Sequence, residues 1–387
     1  MNIRWYISAV GCLCLTAGVA RAELPQIRLD KVFPLGGAAG SDVVLEISGK
    51  DLDGAKTLWF DQPGLSATFV KANTFKIHIP PGAPARTYEV RAIGQYGISN
   101  SRLFSVTHGL TDVTEIEPND TPNKAQRVPL NCAINGNSDG NGDDYFRFSA
   151  HRGDRVILDC QALRLDSTLR AILVVSQLDG KELVRSRPYY NQTDPLIDFA
   201  VPADGDYLVR LYDMTFLGGQ PYRLIISTRP QIENIFPPAI QPGQSVQATI
   251  LGRNLPGGKS APGQLIRGRL LDQLTVTLTA PTEPAAALRF DQLEPLSSAS
   301  LNARGFQLRP PGLETALNAA TLAFADAPIT LEHEPNDTAA TAQPVTLPTV
   351  ICGRFDRPGD GDWYSFTAKA GEQIAVDVLC ERIDRPG

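Results

Sequence analysis

Residues 139–161 read DGNGDDYFRFSAHRGDRVILDCQ. In DYFRFSA, Asp144–Ala150, apolar and polar side chains alternate, which is the period of a half-buried strand. His151 to Asp154 then form a turn, and RVILDCQ opens a second strand. The same grammar extends downstream through AILVVSQL from Ala171, LIDFAV from Leu196, DYLVRLYD from Asp206 and YRLIIS from Tyr222. Upstream it gives DVVLEISG from Asp42, TLWF from Thr57, TFKIHIP from Thr74, TYEVRAIG from Thr87 and SRLFSV from Ser101. SQLDGKEL and PADGDY read as hairpin turns in which Gly180 and Gly205 supply a positive φ. The one stretch with some helical character is LETALNAATLAFA from Leu313. It occupies a position that reads as strand elsewhere in the chain, so sequence leaves it undecided. The expected fold class is all-β, in tandem sandwiches.

The chain repeats itself. TEIEPNDTPNKA begins at Thr114 and LEHEPNDTAATA at Leu331, so the word E-x-E-P-N-D-T recurs with Glu117 and Glu334 217 residues apart. The opening stretch recurs as GDGDWYSFTAKAGEQIAVDVLC from Gly359, which matches Gly136 to Gly353, Asp144 to Asp362 and Phe148 to Phe366, with one inserted residue. An earlier duplication pairs VFPLGGAAGSDVVLEISGKDLDGA from Val32 with IFPPAIQPGQSVQATILGRNLPGG from Ile235, at a constant offset of 203. These repeats predict modules over 23–110, 111–229, 230–330 and 331–387. The last corresponds to only the N-terminal half of its first copy, an expectation of a longer parent protein.

Arg4, the apolar run Trp5–Val19 and Ala20-Arg21-Ala22 form a signal peptide with its cleavage site, over residues 1–22. The sequence thus predicts export to the periplasm, cell surface or exterior. No later run has the ~18 apolar residues of a membrane helix. The net charge of -6, with no basic run, argues against nucleic acid as a partner. Cys132 and Cys160 are 28 residues apart, as are Cys352 and Cys380. In an oxidising compartment that spacing predicts two local disulfides, the alternative being four buried thiols.

Module 111–229 resembles the bacterial pre-peptidase C-terminal (PPC) domain, a β-sandwich jelly roll also used as a collagen-binding domain in clostridial collagenases. The resemblance rests on E-x-E-P-N-D-T, on D-x-D-[YW]-[FY]-x-F, and on SAHRGDRVILD and VPADGDYLVRLYD. The first copy departs slightly, with GDDYFRF where the second has DGDWYSF. Modules 23–110 and 230–330 resemble immunoglobulin-like TIG/IPT domains through P…G…V.I.G.dL. Such alternation is similar to large planctomycete surface proteins.

The acidic word has its own chemistry. Glu115, Glu117 and Asp120 place three carboxylates within six residues, beside Asn119. Pro118 biases Glu117 to an extended conformation, so that Glu115, Glu117 and Asn119 share one side. Asp139, Asn141 and Asp143 fit D-x-[DN]-x-[DN], yet Asp144 and Ala150 stand where an EF-hand needs Gly and Glu. Hard oxygen ligands in this number suit Ca²⁺, which takes about 6–8 oxygens. The resemblance implies a ligand set of Glu115, Glu117, Asn119, Asp120 and Asp144, with Asp139 or Asp143. In the second copy it implies Glu332, Glu334, Asn336, Asp337, Asp360 and Asp362. The competing reading is a plain turn with solvated carboxylates.

No H-E-x-x-H or P-loop occurs, G-x-S-x-G occurs only as GNSDG at 136–140 with no helical pattern after it to form an elbow, and the four histidines form no catalytic arrangement. Trp59, Trp363, Tyr189 and Tyr190 are candidates for an aromatic binding face. The sequence therefore points to an exported, non-catalytic protein for binding, adhesion or scaffolding, with an extracellular protein or polysaccharide as partner. The alternative is the accessory region of a secreted peptidase or other hydrolase.

Overall fold

The computed structural model describes residues 24–187, 194–266, 268–282, 304–355, 357 and 359–380. The predicted signal peptide, Tyr189 and Tyr190 lie outside the described residues.

The first sandwich contains β1 (Arg28–Phe33), β2 (Gly36–Ala38), β3 (Asp42–Lys50), β4 (Thr57–Phe60), β5 (Ser66–Lys71), β6 (Thr74–His78), β7 (Arg86–Gly94), β8 (Gly97–Ile98) and β9 (Arg102–Thr107). Its sheets run β1-β3-β6-β5 and β2-β9-β7-β4, with β8 on β7. In β7 buried and half-buried residues alternate along most of the strand, so Tyr88, Val90 and Ala92 point inward.

The second sandwich contains β10 (Thr111–Thr114), β11 (Gln126–Arg127), β12 (Cys132–Asp139), β13 (Asp144–Ala150), β14 (Arg155–Gln161), β15 (Ala171–Ser176), β16 (Glu182–Ser186), β17 (Leu196–Ala200), β18 (Gly205–Asp213) and β19 (Gly218–Ser227). Its sheets run β10-β12-β19-β14-β17 and β11-β13-β18-β15-β16. Phe146, Phe148, Leu158, Val209 and Leu224 fill the space between them. Each such side chain contributes roughly 1.5–3 kcal/mol by leaving water. Gly180 and Gly205 do adopt positive φ at the turns.

The third sandwich contains β20 (Gln231–Phe236), β21 (Ala239–Ile240), β22 (Ser245–Arg253), β23 (Lys259–Ile266), β24 (Arg269–Thr279), β25 (Gly305–Leu308) and β26 (Ala320–Phe324). β20 and β22 repeat β1 and β3 at the offset of 203, and Gly243 and Gly257 repeat the positive φ of Gly40 and Gly54. The undecided stretch from Leu313 resolves into successive turns, with Leu313 N bonded to Pro310 O and Ala316 N to Leu313 O, followed by β26. Tertiary pairing of β26 with β21 and β25 overrides its helical propensity.

β27 (Ile329–Leu331), β28 (Gln343–Pro344), β29 (Val350–Cys352) and β30 (Tyr364–Ser365) complete the described strands. β27 pairs in parallel with β29 and β28 with β30, as β10 does with β12 and β11 with β13. Residues 373–379, which match β14, form no strand. Among the described residues no further strand pairs with β29 or β30 in the way that β19 pairs with β12 or β18 with β13.

The disulfide expectation fails. No disulfide joins Cys132, Cys160, Cys352 or Cys380. Cys132 on β12 faces Ile226, and Cys160 on β14 faces Leu224, so β19 lies between the two cysteines. Two steps across a sheet measure about 9–10 Å, beyond the ~7 Å Cα separation that a disulfide spans. Cys352 packs instead among Ala239, Ala323 and Ala325. Among the described residues no helix is long and apolar enough to cross a membrane.

Candidate metal centre

The acidic word leaves the end of β10 and is clipped onto the second sandwich by its own backbone. Glu115 N donates to Asn135 O at 3.0 Å on β12, and Tyr145 N donates to Asn119 O at 3.0 Å on β13. Gln126 closes the loop, accepting from Ile116 N at 2.8 Å and donating to Thr114 O at 3.0 Å. The peptide between Glu117 and Pro118 is cis.

This path gathers Glu115, Glu117 and Asp144, whose carboxylate oxygens lie within 4.8 Å of one another. Asn119 sits beside them, fully buried, donating from Nδ2 to Glu115 Oε1 at 3.2 Å and from its backbone N to Glu117 Oε2 at 2.9 Å. Glu115 also accepts from the Tyr222 phenol at 2.5 Å and from Asn137 N at 2.9 Å. Asn119 Oδ1 and both oxygens of Asp144 are buried and have no hydrogen-bond partner. Buried acceptors without partners are rare and call for an explanation.

The second copy rebuilds this geometry. Glu332, Glu334 and Asp362 bring oxygens within 4.8 Å of one another. Asn336 is fully buried, with Nδ2 donating to Glu332 Oε1 at 3.2 Å and its backbone N to Glu334 Oε2 at 3.0 Å. Asn336 Oδ1 and Asp362 Oδ1 lack partners. Trp363 N bonds Asn336 O at 2.9 Å, and Gln343 repeats the clip of Gln126. The Glu334–Pro335 peptide is cis as well.

The remaining candidates have neighbours of their own. Asp120 pairs with Lys124 at 3.0 Å, Asp143 with Arg210 at 2.9 Å, and Asp337 with Arg357. Asp360 lies 3.6 Å from Arg357 Nε. Asp139 ends β12 and acts on Asp144 only through its charge. Trp59 is half exposed on β4 and Trp363 adjoins the second nest.

Electrostatics oppose ionisation at Glu115, Asp144 and Asp362. Burial, and then the charge of Glu115, push Asp144 up to about 8. Burial raises Glu115 against the bonds from Tyr222 and Asn137. In the more open second nest, burial and then Glu332 push Asp362 up to about 6. There the burial of Glu332 is outweighed by the Tyr364 phenol and Arg354 N, which hold it below the usual range. A group of carboxylates and one amide oxygen, partly unpartnered and mutually repelling, is an oxygen donor set of the kind a hard divalent cation takes. The residues present fit Ca²⁺.

Sequence reasoning missed three supports. Gln126 and Gln343 share the 217-residue offset of the word and could have been found from it. Gly136 and Gly353 were matched, but their purpose was not visible. A Cβ at Gly136 would lie 2.5 Å from the Tyr222 hydroxyl and 2.7 Å from Glu115 Oε2, and one at Gly353 would lie 2.9 Å from the Tyr364 hydroxyl and from Glu332 Oε1. The phenols could not have been matched, because Tyr222 comes from β19 and Tyr364 from β30, at a position aligned with Phe146.

Sheets and nests together define the class: a tandem array of β-sandwiches in which an acidic oxygen nest stands at the entry to the second sandwich and recurs after the third. No family model matches the chain. A probable subtilase-type serine protease of Deinococcus radiodurans is 46% identical over 48 residues, which are 12% of this chain and 7% of that protein. Among solved structures, the pre-peptidase C-terminal domain of a collagenase from Bacillus anthracis is similar at 16% identity and a TM-score of 0.23, over 26% of this chain and 93% of that one. The SGBP-B protein of a mixed-linkage glucan utilization locus of Bacteroides ovatus is similar at 12% identity and a TM-score of 0.19, over 64% and 44%. These scores are low, and the β-sandwich architecture rests on the sheets described above.

Proposed function

We propose that this chain is an exported, non-catalytic array of β-sandwich modules for binding, adhesion or scaffolding at the cell surface, and that each acidic nest holds a structural Ca²⁺. The modules run over 23–110, 111–229, 230–330 and from 331, with the odd ones TIG/IPT-like and the even ones PPC-like. The observation that carries the calcium reading is the duplicated nest, with buried, unpartnered oxygens on Asn119, Asp144, Asn336 and Asp362. Bound there, Ca²⁺ would supply the positive charge that the carboxylates lack. Glu115, Glu117, Asn119 and Asp144 would hold it in the first copy, and Glu332, Glu334, Asn336 and Asp362 in the second. Glu115 and Glu117 belong to the loop that runs from β10 in one sheet of the second sandwich to β11 in the other, and Asp144 to β13, so the site would tie that loop to the sandwich. An extracellular protein or polysaccharide is the partner class.

Thermal or denaturant unfolding of the chain with Ca²⁺ and with EDTA tests the site. Ca²⁺ at 100 times its Kd adds about 2.7 kcal/mol. An unchanged transition in both the parent and Glu117→Gln would reject it.

The match to a subtilase-type serine protease favours a second reading, the accessory region of a secreted peptidase. That reading requires a catalytic domain elsewhere in the same polypeptide, with proteolysis abolished by replacing its nucleophile and not by Glu117→Gln.

A further inference from the structure

The bulkiest fully buried side chains among the described residues are not aromatic. They are Arg223 and Arg253, and each lies at a joint between successive sandwiches. Arg223, on β19 of the second sandwich, donates to Thr107 Oγ1 at 2.9 Å in the first, and to Asp112 Oδ1 at 2.7 Å on β10 and Asn135 Oδ1 at 3.0 Å on β12 within its own sandwich. Asp112 also accepts from Ala38 N, and Asn135 Nδ2 reaches Gly36 O at 3.4 Å. Gly36 has no room for a side chain, since a Cβ there would lie 2.2 Å from Ser105 O of the paired strand and 3.0 Å from Arg223 Nε.

The second joint uses the same device with the direction reversed. Arg253, on β22 of the third sandwich, donates to Asp198 Oδ2 at 2.7 Å in the second and pairs with Glu233. Asp198 accepts in addition two bonds from Arg155, at 2.8 and 2.6 Å. Arg155 returns to the third sandwich through Leu270 O at 2.9 Å and Asp272 at 3.4 Å, and Asn254 Nδ2 donates to Arg155 O at 2.8 Å. Arg309 of the third sandwich reaches Ala85 O of the first at 2.9 Å.

Connected domains move relative to one another by default. Buried ion pairs are poor sources of net stability, because desolvation offsets their attraction, and apolar groups of similar volume often serve as well. What a planar guanidinium adds is direction, since its donors must meet fixed acceptors. We propose that Arg223 and Arg253 are orientation locks that hold the first three sandwiches at fixed mutual angles, so that the array is a rigid spacer and not a flexible string.

Pulsed dipolar spectroscopy on the full chain, in a background with Cys12, Cys14 and Cys380 each replaced by Ser, tests this. Nitroxides at Lys71→Cys and Lys181→Cys read the first joint, and at Lys181→Cys and Gln247→Cys the second. The parent should give one narrow distance peak for each pair. Arg223→Met should abolish the narrow peak of the first pair, and Arg253→Met that of the second, with the β circular dichroism retained. Where a methionine variant fails to fold, Asp198→Asn at the second joint and Asp112→Asn at the first keep shape and remove charge, and should broaden the same peaks. Broad distances in the parent, or narrow ones in all folded variants, would overturn the proposal.

Discussion

Tyr222 donates its phenol proton to Glu115 Oε1 across 2.5 Å, from a strand 107 residues further along the chain. Tyr364 makes the same bond to Glu332 from a non-equivalent position. The phenol keeps its place against the first glutamate of each nest while the strand that supplies it changes.

Tyr222→Phe should therefore weaken cation binding at one nest and spare the other. Partners that orient a ligand carboxylate typically account for about 10–100-fold in metal affinity. Calorimetric titration of the full chain with Ca²⁺ should show one of two binding events weakened by that order. Two unaltered events would count against the role.

Without divalent cations the first nest should make stability depend on pH. Asp144 is raised to about 8 in the fold, from an ordinary value of 3.8. Between those values the folded chain binds the extra proton, so stability falls as pH rises from about 4 to about 8. Asp144→Asn in EDTA should flatten that fall and raise the melting temperature near neutrality, while weakening Ca²⁺ binding. A melting temperature that climbs over this range in the parent would contradict the burial of an ionisable Asp144.

Gly136→Ala should damage the nest from behind. Its new Cβ meets the Tyr222 ring and Glu115 at distances that no relaxed contact shows. Overpacking of this kind costs typically 1–3 kcal/mol. Denaturant titration should report that loss, and it should shrink in a Tyr222→Ala background, where the clash is relieved.

Reducing agent should leave unfolding of the second sandwich unchanged, since a disulfide there would have contributed roughly 3–4 kcal/mol. Burial pushes the Cys132 thiol up to about 12 and raises Cys160 well above the ordinary thiol range. Both should resist thiol reagents in the native protein and react once it is unfolded. Mass spectrometry that finds Cys132 joined to Cys160 would refute the strand order β12-β19-β14.

Phe148→Ala should cost about 3–5 kcal/mol, because the ring is fully buried between the sheets of the second sandwich and its loss leaves a cavity. Equilibrium unfolding measures this directly.

Strand alternation, turn glycines and the two repeat offsets were legible in the sequence because they are local or self-similar. Those signals sufficed for the all-β class and exposed the acidic word, and the resemblance to the PPC domain marked Glu115, Glu117, Asn119 and Asp144 among the candidates. β12 was missed, since its Asn135, Asn137 and Ser138 look like loop residues; Asn135 is polar because its side chain meets Arg223, and the Ser138 hydroxyl bonds Leu217 O and Gln220 N of β19 and the turn before it. Asp120, Asp143, Asp337 and Asp360 were expected as ligands from the resemblance to the PPC domain; each also lies beside a cationic side chain that no spacing rule could locate. The 28-residue cysteine spacing was misleading for a related reason. Equal separation along the chain says nothing about which strand lies between two others. The sequence by itself determined the class of fold, the duplication and the acidic word, all of which depend on neighbours in the chain. Only the tertiary structure decided that β19 separates the thiols, that Tyr222 stands behind Glu115, and that arginines close the joints, because those relations depend on long-range strand order, which local periodicity does not encode.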